Sequence, residues 1–241
     1  MTNRTKSLAA AGAAGLAIVV FAVWFLIFRD TAPPAASLND AIASVTTTTT
    51  ATDSTGGSLD GAWTIDTTVG DGVLDDGSYV GYRVQEELAN IGAKTAVGRT
   101  PALSGSFEFS GTVLTSATIE VDLSQLTSDD SRRDGAIRRQ ALETEAFPNA
   151  SFVLTAPVDL GSAPDAGASF TAEATGDLTI HGVTQSVTVP INGQLVGDTV
   201  VVVGLIEIQF ADYAIEKPTA GIVLSVNDLG EMEFQLFLTR S

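Results

Sequence analysis

The sequence predicts an all-β domain, an antiparallel barrel or sandwich, over residues 59–241. Three observations predict it. Apolar and polar residues alternate with a period of two in many short runs, Gly-, Asp- and Asn-rich turns separate the runs, and a helical repeat intervenes only once.

Trp63 and Ile65, with Asp66 facing the other way, open the first strand. Val80, Tyr82 and Val84 alternate in a second. Phe107 and Phe109 lead to a turn at Ser110-Gly111. Ala117, Ile119, Val121 and Leu123 then alternate with Thr118, Glu120 and Asp122, and Phe152 and Leu154 follow. The clearest unit is a hairpin. Phe170 to Ile180 alternate with Thr171 to Thr179, Val187, Val189 and Ile191 return, and Gly182 at the tip supplies the positive φ of a tight turn. Val201, Val203, Ile206, Ile208 and Phe210 form another run, whose change of parity near Gly204 predicts a bulge. Ile222, Leu224 and Val226, then Met232, Phe234, Leu236 and Leu238, close the chain. The one helical segment runs from Arg132 to Glu143, with caps offered by Asp129-Asp130-Ser131 and a stop at Phe147-Pro148-Asn149.

The first 58 residues differ from the rest. Residues 1–7 carry Arg4 and Lys6, and residues 8–28 hold no charge. At about 1.5 Å per residue, a helix of that length spans roughly the 30 Å hydrocarbon core. The preceding positive charges predict a single-pass anchor in the cell membrane with a cytoplasmic N-terminus and an extracytoplasmic remainder. A cleaved signal peptide is the competing reading, but its apolar core is normally about 7–15 residues and ends in a small-residue site. Here the run is longer and the candidate site contains Pro33-Pro34. Residues 29–58, with Pro33-Pro34, Thr46 to Thr50 and Gly56-Gly57, predict a disordered linker.

The formal net charge is −17, and all of it falls on residues 59–241, which hold nine basic and 26 acidic residues. Such a surface repels phosphates and excludes nucleic acid as a partner. The chain has no cysteine, which excludes disulfides, thiolate metal sites and a lipid-modified cysteine anchor.

Candidate chemistry is sparse. His181 is the only histidine, and its place at a hairpin tip predicts an exposed turn residue rather than a member of a catalytic triad. His181→Ala is therefore expected to leave the fold nearly intact. The acidic pairs Asp75-Asp76, Glu86-Glu87 and Asp129-Asp130 are what chance gives in so acidic a chain, and no catalytic or metal site is read from them. Arg132, Arg133, Arg138 and Arg139 form a basic cluster. It could receive an anionic head group or pair with its acidic neighbours. The large residues in strands could fill an ordinary core or line a hollow barrel, and periodicity does not separate the two.

Several ordered segments resemble the YceI-like family of exported lipid- or polyisoprenoid-binding proteins. They are Trp63-Thr64-Ile65-Asp66, Ser106 to Gly111, Val121 to Leu126, Arg133-Asp134, Glu145 to Phe152, and Gly176 to Thr184. The resemblance covers residues 61–239. It implies a lipocalin-like antiparallel β-barrel with an apolar tunnel for an isoprenoid lipid or a quinone-like ligand. It implies no catalytic residues and no cofactor. On that footing, alternation turns Tyr82, Phe107, Phe109, Ile119, Val121, Phe152 and Phe210 toward the ligand, with Arg132 or Arg133 at its polar head. The alternative is a structural or stress-related interaction module with a filled barrel.

Overall fold

The computed structural model describes residues 32–48, 58–70, 76–89, 91–161, 167–219 and 223–241. The strands are β1 (Gly61–Ile65), β2 (Tyr79–Leu88), β3 (Gly92–Thr100), β4 (Leu103–Ser110), β5 (Val113–Asp122), β6 (Thr127–Ser128), β7 (Asn149–Leu154), β8 (Val158–Asp159), β9 (Ser169–Ile180), β10 (Val183–Val196), β11 (Thr199–Gln209), β12 (Val223–Val226) and β13 (Leu229–Arg240).

They close into a barrel of eight antiparallel staves, three of them broken. β13 pairs β2 through Glu231–Gln235 and β1 through Leu238–Arg240, so β1 and β2 fill the two halves of one stave. β3 and β4 form the next, interrupted at Pro101-Ala102, and face β2 and β1 respectively. β5 and β6 form the third, broken by a tight turn at Leu123–Gln125. β7, β9, β10, β11 and β13 complete the ring. β8 and β12 add short pairings to β5 and β2. Among the described residues closure leaves no long free edge.

The β9–β10 hairpin forms as its sequence predicts. His181 and Gly182 have φ of +52° and +74°, between the paired residues Ile180 and Val183. Two left-handed residues match the twist of the flanking strands. The bulge expected near Gly204 is absent, because β11 and β13 stay in register from Val200–Leu238 to Gln209–Leu229. Val200 and Val202 face inward while Val201 and Val203 are buried on the outer face, so the strand is dry on both sides. Strand β3 was not expected, since Gly92-Ala93-Lys94-Thr95-Ala96-Val97-Gly98 carries little apolar alternation.

What dries the outer face is a correction to the disordered linker expected over 29–58. Leu38–Thr48 is helix α1, with the Asp40 amide 3.4 Å from Ser37 Oγ. Ala41 is fully buried and Val45 nearly so, packed with Val201, Val203 and Phe237. The apolar spacing Leu38, Ala41, Ile42, Val45 makes one helix face, and the barrel wall supplies the surface that covers it. Among the described residues the barrel therefore carries two helices rather than one. The second, α2 (Ser131–Ala136), starts where expected, with Asp130 accepting from the Arg132 amide. It then widens into a π-turn over Ile137–Ala141 and stops short of Glu143. The apolar run 8–28 lies outside the described residues. No helix among the described residues is long and apolar enough to cross a membrane.

Candidate functional site: an apolar tunnel

Two chambers run along the barrel interior. The deep one, about 100 Å³, is walled by Phe107, Phe109, Ile119, Phe152, Phe170 and Phe234, with Ser151 its only polar lining residue. The outer one, about 140 Å³, takes Tyr82, Ile208, Phe210 and Ile215 together with Ile137 and Ala141 from the π-turn. Val80, Val121, Ala150 and Met232 line both, so the chambers abut along one tunnel axis with these four side chains between them. No lining residue of the deep chamber is exposed, whereas Glu216, Lys217 and Glu231 of the outer chamber are. The tunnel opens at that end.

Glycines keep the lumen open. Tyr82 lies over Gly98, Phe152 over Gly176, Phe170 over Gly193, Phe210 over Gly230 and Phe234 over Gly204. A Cβ built at any of these five glycines would stand 2.3–2.7 Å from the nearest ring atom. Tyr82–Gly98, Phe170–Gly193 and Phe234–Gly204 are direct cross-strand partners. Each ring thus rests against bare backbone instead of projecting to the barrel axis, an arrangement that also covers glycine in a strand. The sequence reading placed Phe170 and Phe234 in strands without assigning them to a ligand, and it did not read these glycines as seats for the rings. The available signal was glycine recurring inside strand patterns.

The open end is polar on one side. Arg133 donates to Glu86 Oε1 at 2.6 Å and also pairs with Asp129. Burial opposes the Arg133 charge, but these carboxylates outweigh it and hold the guanidinium above its ordinary pKa. Asp134 Oδ1 accepts from the Ser128 amide at 2.9 Å and from its hydroxyl at 2.6 Å. The Tyr82 hydroxyl is buried with no hydrogen-bond partner among the described residues. Burial raises its pKa, only partly offset by Arg133.

Of the residues expected at a ligand, Phe107, Phe109, Ile119, Val121, Phe152, Tyr82, Phe210 and Arg133 line the tunnel. Arg132 does not. Its side chain is 81 % exposed and folds back on Asp130 at 2.8 Å, because the helix cap points it outward. The pairing pulls the Asp130 carboxyl down to about 2, first through the Arg132 hydrogen bond. His181 is also a correction, being packed where an exposed tip was expected. Its side chain is 9 % exposed, edge-on to Phe147 at 4.6 Å, with Nε2 2.9 Å from Glu143 Oε2 and Nδ1 3.2 Å from the Tyr213 carbonyl oxygen. No group of three His, Cys, Asp or Glu side chains among the described residues could hold a metal.

A closed antiparallel barrel with a dry tunnel open at one end belongs to the class of barrels able to enclose an elongated apolar ligand. The model of the YceI-like domain matches residues 72–238, and the chain belongs to that family. A UPF0312 protein from Shewanella denitrificans is 30% identical over 109 residues, 44% of this chain and 53% of that protein. The chain thus spans about half the length of this relative. Among solved structures, it resembles a polyisoprenoid binding domain from Saccharophagus degradans implicated in plant cell wall breakdown. That likeness has TM-score 0.58 and 21% identity, and covers 76% of this chain and all of that one. It also resembles BcnA of Burkholderia cenocepacia, with TM-score 0.51 and 22% identity, over 66% of this chain and 95% of that one. At these identities the likeness is one of fold.

Proposed function

We propose that the domain binds an isoprenoid or other long-chain lipid without transforming it, as a carrier, store or sensor at the outer face of the cell membrane. The observation that carries this reading is the pair of abutting apolar chambers inside the barrel. Each buried methylene contributes about 0.8 kcal/mol. Association costs on the order of 4–15 kcal/mol. A chain of ten carbons, about 8 kcal/mol, is therefore marginal, and one of twenty or more is held by area alone. The ligand is long, and its chain needs no charged contact.

At the open end the buried Tyr82 hydroxyl is a donor beside Arg133 and Ser128. A head group with carbonyl or similar acceptor oxygens, as in a quinone-like lipid, fits that donor. The fold of the Saccharophagus domain supports the ligand class. The uncharged run 8–28 supports attachment to the membrane.

Gentle purification of the full chain, lipid extraction and mass spectrometry test the proposal. A polyprenyl or other long-chain lipid at near-stoichiometric level is expected from wild type. It should be lost from Phe107→Asp protein that keeps its β circular dichroism. Wild-type barrels that carry no lipid, and bind none of several long-chain lipids offered, would overturn it.

A further inference from the structure

We propose that the open end of the barrel faces the bilayer, its rim seated on the lipid surface so that a chain passes directly between membrane and tunnel. This rests on the reading of residues 8–28 as a membrane anchor and adds an orientation to it.

The rim itself is the first observation. Among the described residues three large hydrophobics are exposed, and two of them, Leu224 at 67% and Leu229 at 41%, stand at the open end. Leu224 lies in β12, whose last residue Val226 lines the outer chamber, and Leu229 precedes the chamber residue Gly230. The third, Val153, is on the wall. Exposed apolar side chains around a tunnel entrance are suited to a membrane surface. Four of the domain's nine basic residues, Arg132, Arg133, Arg138 and Arg139, sit on the helix and π-turn at this end. There Asp130 pairs with Arg132, and Glu86 and Asp129 pair with Arg133, so the rim carries no net basic patch and the apolar side chains make the contact.

The path of the N-terminal segment is the second, independent observation. The Pro34 carbonyl accepts from Arg99 Nη2 at 2.7 Å, and the Ala36 amide donates to Glu233 Oε2 at 3.1 Å. Glu233 is fully buried and paired with Arg99 at 2.8 Å, with Arg83 at 3.6 Å. The segment is therefore fastened to a desolvated ionic cluster on the barrel wall. From Glu233 it proceeds into α1, which packs over Val203 and Val201 with Val196 at its margin, near the β10–β11 turn. Going from Glu233 toward Val201 means moving down β13 toward Phe237, away from Glu231 at the opening. Residues 34–36 therefore lie toward the open end relative to α1.

The tether length bears on the orientation. Only Arg29, Asp30 and Thr31 separate the apolar run from Ala32. Three extended residues reach at most about 11 Å. A stave of 12 residues such as β13, tilted as in closed barrels, is about 30 Å tall. Ala36 is docked at Glu233, four residues from the open end of β13 and seven from the other, so a short tether favours the open end facing the membrane.

The chain has no cysteine, so single probes can be placed cleanly. The experiment uses the full chain in phosphatidylcholine vesicles containing nitroxide-labelled lipid. Bimane goes on Thr219→Cys or Asn227→Cys at the rim, or on Asp198→Cys at the β10–β11 turn. Rim probes are expected to lose more than half their fluorescence, and the Asp198→Cys probe less than a tenth. Ala41→Asp, which undocks α1, is expected to even out the two values while the chain still floats with the vesicles. A chain that does not float ends the anchor reading and this orientation with it. A chain that floats with equal quenching at both ends, or with stronger quenching at position 198, overturns the orientation and leaves the anchor standing.

Discussion

Phe210 lies against Gly230 on the neighbouring strand, where a Cβ would stand 2.7 Å from two of its ring atoms and no closer than 3.6 Å to any backbone atom outside its own neighbours. The absence of one methyl group thus decides where an aromatic ring sits in the outer chamber. Gly230→Ala is expected to push that ring into the tunnel and reduce lipid capacity, while costing about 1–3 kcal/mol in stability. Phe210→Leu in the same chain should restore capacity. Lipid content and denaturant midpoints of the two single variants and the double variant form a cycle that checks the coupling. Additive effects would contradict it.

Glu233 is fully buried between Arg99 and Arg83 and accepts from the Ala36 amide. Removing one member of a buried ionic cluster strands the remaining charges, at a cost of about 3–5 kcal/mol. Glu233→Ala is expected to lose stability on that scale and to free residues 32–48 for proteolysis. Glu231→Ala, on a carboxylate that is 48% exposed, should cost under about 1 kcal/mol. Urea unfolding with limited proteolysis reads both.

His181 bridges Glu143 and the Tyr213 carbonyl and packs on Phe147, so His181→Ala is expected to cost about 1–3 kcal/mol. This revises the near-neutral effect expected from a turn position. Gly182→Val meets two obstacles, φ of +74° and the Phe147 ring 2.7 Å from the new Cβ. Its cost should be at least as large, on the order of 1–3 kcal/mol for the backbone alone. Thermal unfolding of the two variants checks the pair.

Two pH effects follow from the open end. The Asp130 carboxyl is depressed to about 2, chiefly by its Arg132 bond. Its contribution is present above the ordinary carboxylate pKa of 3.8 and is lost as pH falls from there toward 2. Asp130→Asn keeps a cap but should flatten that acid limb of stability. Tyr82 is raised by burial, so the neutral phenol is favoured in the fold. Its contribution is whole below the ordinary tyrosine pKa of 10.0 and is lost as pH rises above it. Alkaline unfolding should move to higher pH in Tyr82→Phe, and an unchanged midpoint would count against the burial of that hydroxyl.

Local pattern determined the all-β class, the β9–β10 hairpin and the start of α2. The period-two alternation from Phe170 to Ile180, the left-handed glycine at 182 and the cap at Asp130 act over a few residues, and such effects can be read from neighbours alone. Family resemblance added the barrel. Tertiary structure decided the rest, since it depends on surfaces that meet across the chain. Alternation marks Phe152 and Phe234 as inward, yet it is glycines on neighbouring strands, Gly176 and Gly204 among them, that give the rings room against the wall. The valines from Val200 to Val203 looked like a slipped register because nothing nearby showed that α1, about 155 residues earlier, covers the outer pair. Glu233 reads as a solvated residue on an alternating strand until Arg99, Arg83 and Ala36 close over it. A buried charge is tolerated only where distant partners converge, and that convergence is a property of the folded barrel.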